Sequence, residues 1–160
     1  MRVAAGARIA APIETVWEIA SDPSRALNFM SGVTRWEVAS DPPTGLGARY
    51  RMLMRIGSAE VGGLIEIVEW RPPHDFAWHS VTGLDQRGRL RLRRGAGGRT
   101  RAEFRLAYGV AGSGLSGWIA EHVAAPSVQR HLGRSLTQLG RLAEQEHRRT
   151  RAARGSAVRT

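Results

Sequence analysis

Three stretches of this chain alternate arginine with apolar residues, and that alternation constrains the fold more than any other feature. In residues 47–56, Tyr50, Met52, Met54 and Ile56 fall on one side of a period-two pattern, with Arg49, Arg51 and Arg55 on the other. Residues 85–94 set Leu90 and Leu92 against Arg87, Arg89, Arg91 and Arg93. Residues 99–110 set Phe104, Leu106 and Tyr108 against Arg101, Glu103 and Arg105. Successive side chains of a strand point to opposite faces, so each stretch predicts a strand with one dry and one wet side. A sheet built from such strands must cover its apolar face with another layer.

The same period predicts strands at 2–10, where Val3, Ala5, Ala7 and Ile9 share a side, and at 34–40, 60–71 and 75–82. Pro-, Gly- and Asp-containing breaks separate them, among them Asp41 to Gly47, Gly57-Ser58, Pro72-Pro73, Gly83 and Gly95 to Gly98, as in an antiparallel meander of seven strands. After the first strand, Pro12 leads into Ile13, Val16, Trp17 and Ile19 at helical spacing. Asp22 with Pro23 then caps a second short helix through Phe29. The cover is a final helix from about Leu115 to Glu146. There Trp118, His122, Ala125, Val128, Leu132, Leu136, Leu139 and Ala143 form an apolar stripe, and Pro126 predicts a kink or a late start. The class is therefore α+β, with one domain over 1–146. A basic tail over 147–160, whose only large apolar residue is Val158, is predicted to be disordered.

Composition narrows the function. The 160 residues suffice for one buried core. The absence of cysteine removes disulfides, thiolate nucleophiles and sulfur-based zinc sites, and fits a cytoplasmic location. No apolar run long enough to span a bilayer or to act as a signal peptide is present, so no membrane insertion is expected. The formal charge of +10 invites a nucleic-acid reading. However, every basic residue is arginine, five of them fall in the last 14 residues, and the aromatic residues lie on the strand faces opposite the arginines. Base stacking needs aromatics beside the arginines, so no specific nucleic-acid partner is predicted, and the chain is expected to be a monomer or a homodimer.

Three local motifs occur in this order along the chain: Ala11-Pro12-Ile13-Glu14-Thr15-Val16-Trp17 entering the first helix, Gly45-Leu46-Gly47-Ala48-Arg49-Tyr50 turning into the third strand, and Val68-Glu69-Trp70-Arg71-Pro72-Pro73 ending the fourth. With the element order, they make the chain resemble the START-like, polyketide-cyclase-related superfamily over residues 1 to about 145. The resemblance implies a helix-grip fold and a deep cavity between sheet and final helix for lipids, steroids, polyketides or other apolar molecules. It implies no single activity, because one fold hosts both binding proteins and enzymes.

The inward residues Tyr50, Met52, Met54, Leu90, Leu92, Phe104, Leu106 and Tyr108, with Trp78, Trp118 and His122, are the candidate ligand-binding set. Alternation puts Trp78 and His79 on opposite sides of their strand without deciding which faces in. Four residues are candidates for proton transfer: His122 on the helical stripe, Tyr108, Glu66 and His79. For each there is a structural alternative: a hydrogen-bonded core His or Tyr, or, for Glu66, an outward carboxylate paired with the arginine face. No ligand spacing joins His79, His122 and His131, so neither a metal nor a cofactor is predicted. Gly112-Ser113-Gly114-Leu115-Ser116-Gly117 matches a dinucleotide fingerprint but lacks the second parallel strand and its acid, and reads as a linker. Two function classes follow: a binder of a hydrophobic small molecule, or an aromatase/cyclase-type enzyme.

Overall fold

In the computed structural model, which describes residues 1–109 and 115–159 and only the backbone of 115–124, the alternating stretches form one antiparallel sheet of seven strands. β1 (Arg2–Ile9) leads into α1 (Ile13–Ala20), a 3-10 turn (Pro23–Arg25) and α2 (Ala26–Phe29). β2 (Val33–Val38), β3 (Arg49–Ile56), β4 (Ala59–Arg71), β5 (Asp75–Ser80), β6 (Asp85–Arg94) and β7 (Thr100–Gly109) follow, and then α3 (Leu115–Ala157). The spatial order β1-β7-β6-β5-β4-β3-β2 is a meander in which β1 returns to pair with β7. This is the expected α+β helix-grip fold, with the sheet curving around α3. No helix among the described residues is long and apolar enough to cross a membrane.

Local chemistry sets the turns. The Asp22 carboxylate accepts a hydrogen bond from the Ser24 backbone N–H at 2.9 Å, which caps the turn that Pro23 opens. In β4, Gly62 and Gly63 have φ of 151° and 155°, and a Cβ on either would lie 2.1 or 2.2 Å from the backbone oxygen of Met52 or Thr82. Only glycine lets the strand bend this close to both neighbours.

α3 grips the sheet through Val128, Leu132, Leu136, Leu139 and Ala143, all buried. It runs in the same direction as β1: the Gln129 side-chain amide donates to the Ala4 carbonyl, Gly140 faces Ile9, and Glu144 accepts from the Ala10 N–H at 2.9 Å. The helix starts at Leu115 as expected and carries Pro126 within its length, which leaves out the late start that this proline offered. One expectation is corrected. The segment beyond Glu146, expected to be disordered, continues the helix to Ala157. Its alanines and arginines are strong helix formers, and extending an established helix is far cheaper than nucleating one. At about 1.5 Å per residue the helix overshoots Ala10 by roughly 20 Å.

The wet face is laced with ion pairs. Arg49 meets Glu66 at 2.9 Å, Arg55 meets Glu60 at 2.9 Å, and Arg89 meets Glu69 at 2.6 Å. Buried Asp75 is surrounded by Arg71, Arg89 and Arg91 at 2.8, 3.3 and 3.9 Å.

Candidate functional site

Where the sheet passes beneath α1 and α2, its inward side chains leave a cavity. Trp36, Tyr50, Ile67, Trp70, Phe76, Trp78, Leu90 and Phe104 form its wall, and Ala20, Asp22, Pro23, Ala26, Phe29 and Met30 close it from the helical side. The space open to the centre of a water-sized guest is about 30 Å³, where about 10–15 Å³ admits one water.

The wall is held by ring contacts. Trp17 of α1 meets Trp70 edge-on at 5.1 Å and Phe76 at 5.8 Å, Trp78 meets Phe104 edge-on at 5.6 Å, and Trp36 stacks on Tyr50 at 4.9 Å. Such pairs contribute about 0.5–1.5 kcal/mol beyond their burial. Trp78 lies over Gly88, its cross-strand partner on β6, so closely that a Cβ there would sit 2.1 Å from the indole ring.

Most polar groups of the wall are satisfied locally. The Tyr50 hydroxyl donates to the Pro43 carbonyl at 2.6 Å, tying the β2–β3 loop down, and burial together with the Asp22 charge pushes its pKa up to about 12. The Ser21 hydroxyl donates to the Trp17 carbonyl at 2.6 Å, and Asp22 is engaged by Ser24. Two donors are left over: the indole N–H groups of Trp36 and Trp78 are buried and have no hydrogen-bond partner among the described residues.

A second, smaller cavity lies at the opposite end of the same strands. It is lined by Met52, Met54, Ile56, Val61, Leu84, Gln86, Leu106, Tyr108 and Val128, with about 20 Å³ for the centre of a water-sized guest. Buried Gln86 donates its amide to the Met52 sulfur at 3.6 Å.

The candidate residues are thus divided. Tyr50, Trp78, Leu90 and Phe104 meet at the aromatic cavity, while Met52, Met54, Leu106 and Tyr108 meet at the second. Leu92 is buried but lines neither. The proton-transfer role is corrected for Glu66 and His79: both stand on the outer face, where Glu66 is the outward carboxylate of its structural alternative, paired with Arg49 and 3.6 Å from His79, so neither can serve chemistry in the interior. The side chains of Trp118 and His122, and residues 112–114 of the glycine run, lie outside the described residues. No group of three or more His, Cys, Asp or Glu among the described residues could hold a metal ion.

Sequence reasoning missed Trp36, Trp70, Phe76, Phe29 and Met30 in the aromatic wall and Gln86 in the second cavity. It also gave no role to His131. That ring packs against Gly32, where a Cβ would lie 2.7 Å from it, and its Nδ1 is 3.0 Å from the Ser31 hydroxyl. The available signal was the crossing point itself, since Trp70 and Phe76 flank the Pro72-Pro73 turn and pair across it.

A family model described as polyketide cyclase/dehydrase and lipid transport matches residues 1–144. No curated protein sequence matches the chain. Among solved structures, the chain is similar to a Thermus thermophilus protein at 22% identity and a TM-score of 0.76, covering 89% of this chain and 97% of that one. It is similar to the Zhui aromatase/cyclase of a Streptomyces species at 19% identity and a TM-score of 0.78, covering 96% and 97%. A START superfamily protein of Mycobacterium smegmatis aligns at 14% identity and a TM-score of 0.62, covering 93% and 98%. At these identities the likeness is one of fold.

Proposed function

The chain belongs to the polyketide cyclase/dehydrase and lipid transport family, and from that premise we propose that it binds a largely apolar small molecule carrying hydrogen-bond acceptor oxygens, at the aromatic cavity beneath α1 and α2. The observation that carries this reading is the pair of unpartnered indole N–H groups, Trp36 and Trp78, in a wall otherwise apolar or internally satisfied. A buried donor left without an acceptor costs about 1–3 kcal/mol. A guest with a carbonyl, ether or phenol oxygen at that position recovers the loss while its rings or chain bury apolar surface.

The free volume fits only the tip of such a guest, because small-molecule pockets usually span about 300–1,000 Å³. Entry therefore requires side chains to move. Met30, Trp36, Trp70 and Phe76 are half-buried side chains of the lining, and Met30 is the flexible one that yields most easily.

A matched pair of neutral probes tests the reading. Titrated by tryptophan fluorescence, 1-acetonaphthone should bind about tenfold more tightly than 1-ethylnaphthalene, which has a similar shape and no acceptor; tenfold corresponds to about 1.4 kcal/mol, within the range for one recovered donor. Trp78→Phe should remove the difference. Equal affinities would defeat the acceptor argument, and failure of both probes to bind would defeat the ligand site.

A second reading, proton-transfer catalysis on a poly-carbonyl chain, is favoured by Tyr108 at the second cavity beside the Gln86 amide. With His122 it would supply the acid and base. Unchanged product formation in a His122→Ala, Tyr108→Phe double variant would remove this reading.

A further inference from the structure

Arginines on the outer face of the sheet are distributed in two ways. Toward β3, β4 and β5, Arg49, Arg55, Arg71 and Arg89 face acids. At the corner where β1, β7 and β6 meet the turn between β6 and β7, the pattern reverses. Arg8 stands directly opposite Arg101, and Arg101 directly opposite Arg93, all three exposed. Neighbouring strands lie about 4.8 Å apart, so three guanidinium stems rise from a row about 10 Å long. Arg99 joins them from the turn between β6 and β7, where Gly95, Ala96 and Gly97 complete an open groove of about 670 Å³. Arg94 at its rim is already taken by Glu14 at 2.7 Å. Arg8, Arg93, Arg99 and Arg101 make no ion pair among the described residues.

Like charges directly opposite one another destabilise a sheet. A row of three therefore carries a repulsion that water and salt screen in part and a bound counter-charge would relieve. We propose that Arg8, Arg93, Arg99 and Arg101 form a binding site for a phosphoryl or pyrophosphoryl group. The planar guanidinium fork matches phosphate oxygens bidentately, and four forks lining one groove suit a multiply charged anion better than a single carboxylate. No aromatic residue lines the groove, so a base has nothing to stack on, and recognition is of the phosphate itself.

Titration calorimetry of the full chain with inorganic pyrophosphate at low salt tests this. Saturable one-to-one binding is expected, weakened at least tenfold in an R93Q/R101Q variant and unchanged when Arg148, Arg149, Arg151 and Arg154 at the end of α3 are all replaced by glutamine. Without ligand, R101Q should unfold no earlier than the parent, since it relieves two opposed pairs at once, and loss of binding is then not loss of fold. Co-sedimentation with phosphatidylglycerol vesicles identifies the source. Vesicle binding that disappears in R93Q/R101Q assigns the phosphate to a lipid headgroup, and pyrophosphate binding without it assigns the phosphate to a soluble ligand. Absence of binding to both probes, or binding that R93Q/R101Q retains and the α3 variant loses, overturns the proposal.

Discussion

The same strands line both cavities, yet the two ends of the interior are made of different material. On β3 the wall changes from Tyr50 to Met52 and Met54, on β6 from Leu90 to Gln86, and on β7 from Phe104 to Leu106 and Tyr108. Aromatic rings have few rotatable bonds and interlock edge to face, so the ring wall beneath α1 and α2 holds its shape and its donors while Met30 is the part that moves. Methionine has three rotatable bonds and fills irregular gaps, so the other end can repack. On the proposed function, recognition falls to the first end and adaptability to the second.

The largest test of this contrast is truncation at the rigid end. Phe104→Ala removes the ring that Trp78 packs against and should cost about 3–5 kcal/mol in chemical denaturation. Met54→Leu at the adaptable end nearly conserves volume and removes no hydrogen bond, and should cost under about 1.5 kcal/mol. Equal losses would erase the difference between the ends. Gly88→Ala is the next step down: the added methyl overlaps the Trp78 ring, and overpacking of this kind costs about 1–3 kcal/mol. Because it displaces the indole, it should also abolish the preference for 1-acetonaphthone, whereas Met54→Leu should leave that preference intact.

The adaptable end was the more legible of the two in sequence, and the reason is geometric. Strict alternation holds along β3, β6 and β7, so Met52, Met54, Leu106 and Tyr108 fall on the inward side by parity. Alternation breaks where the aromatic wall is made. A shift in pairing between Val33 and Arg35 puts Trp36 on the same side as Val33, opposite Met52. A second shift between Ile67 and Glu69 puts Trp70 on the side of Ile67, opposite Phe76. A bulge moves every following side chain to the other face, and one chain read at period two cannot announce it. For Glu66 alternation left two readings, and the register bears out the outward carboxylate paired with the arginine face by placing it opposite Arg49. The end of α3 reads as disordered in sequence because Val158 is its only large apolar residue, while the helix propensity of its alanines and arginines carries the helix on to Ala157.

The smallest expected effect sharpens the contrast at its boundary, where α3 passes from Val128 at one cavity to the loop carrying Met30 at the other. His131 holds that loop through Ser31, and Ser135 holds it again by accepting from the Ser31 backbone N–H at 2.8 Å. Burial lowers the His131 pKa, the neighbouring Arg134 and Arg130 lower it further, and a hydrogen bond with the Arg55 backbone opposes them. The folded protein therefore binds a proton at this ring less readily than the unfolded chain, whose ordinary value is 6.5. The stabilisation is complete above that value and declines as pH falls below it, until pH passes the lowered folded value. Thermal unfolding between pH 8 and pH 5 should shift downward in the parent and shift less in His131→Gln, which cannot take up the proton. If the loop is the mouth of the aromatic end, acid should also weaken 1-acetonaphthone binding in the parent more than in His131→Gln. An equal loss of binding in both proteins would detach His131 from the mouth and leave it as a packing residue of α3.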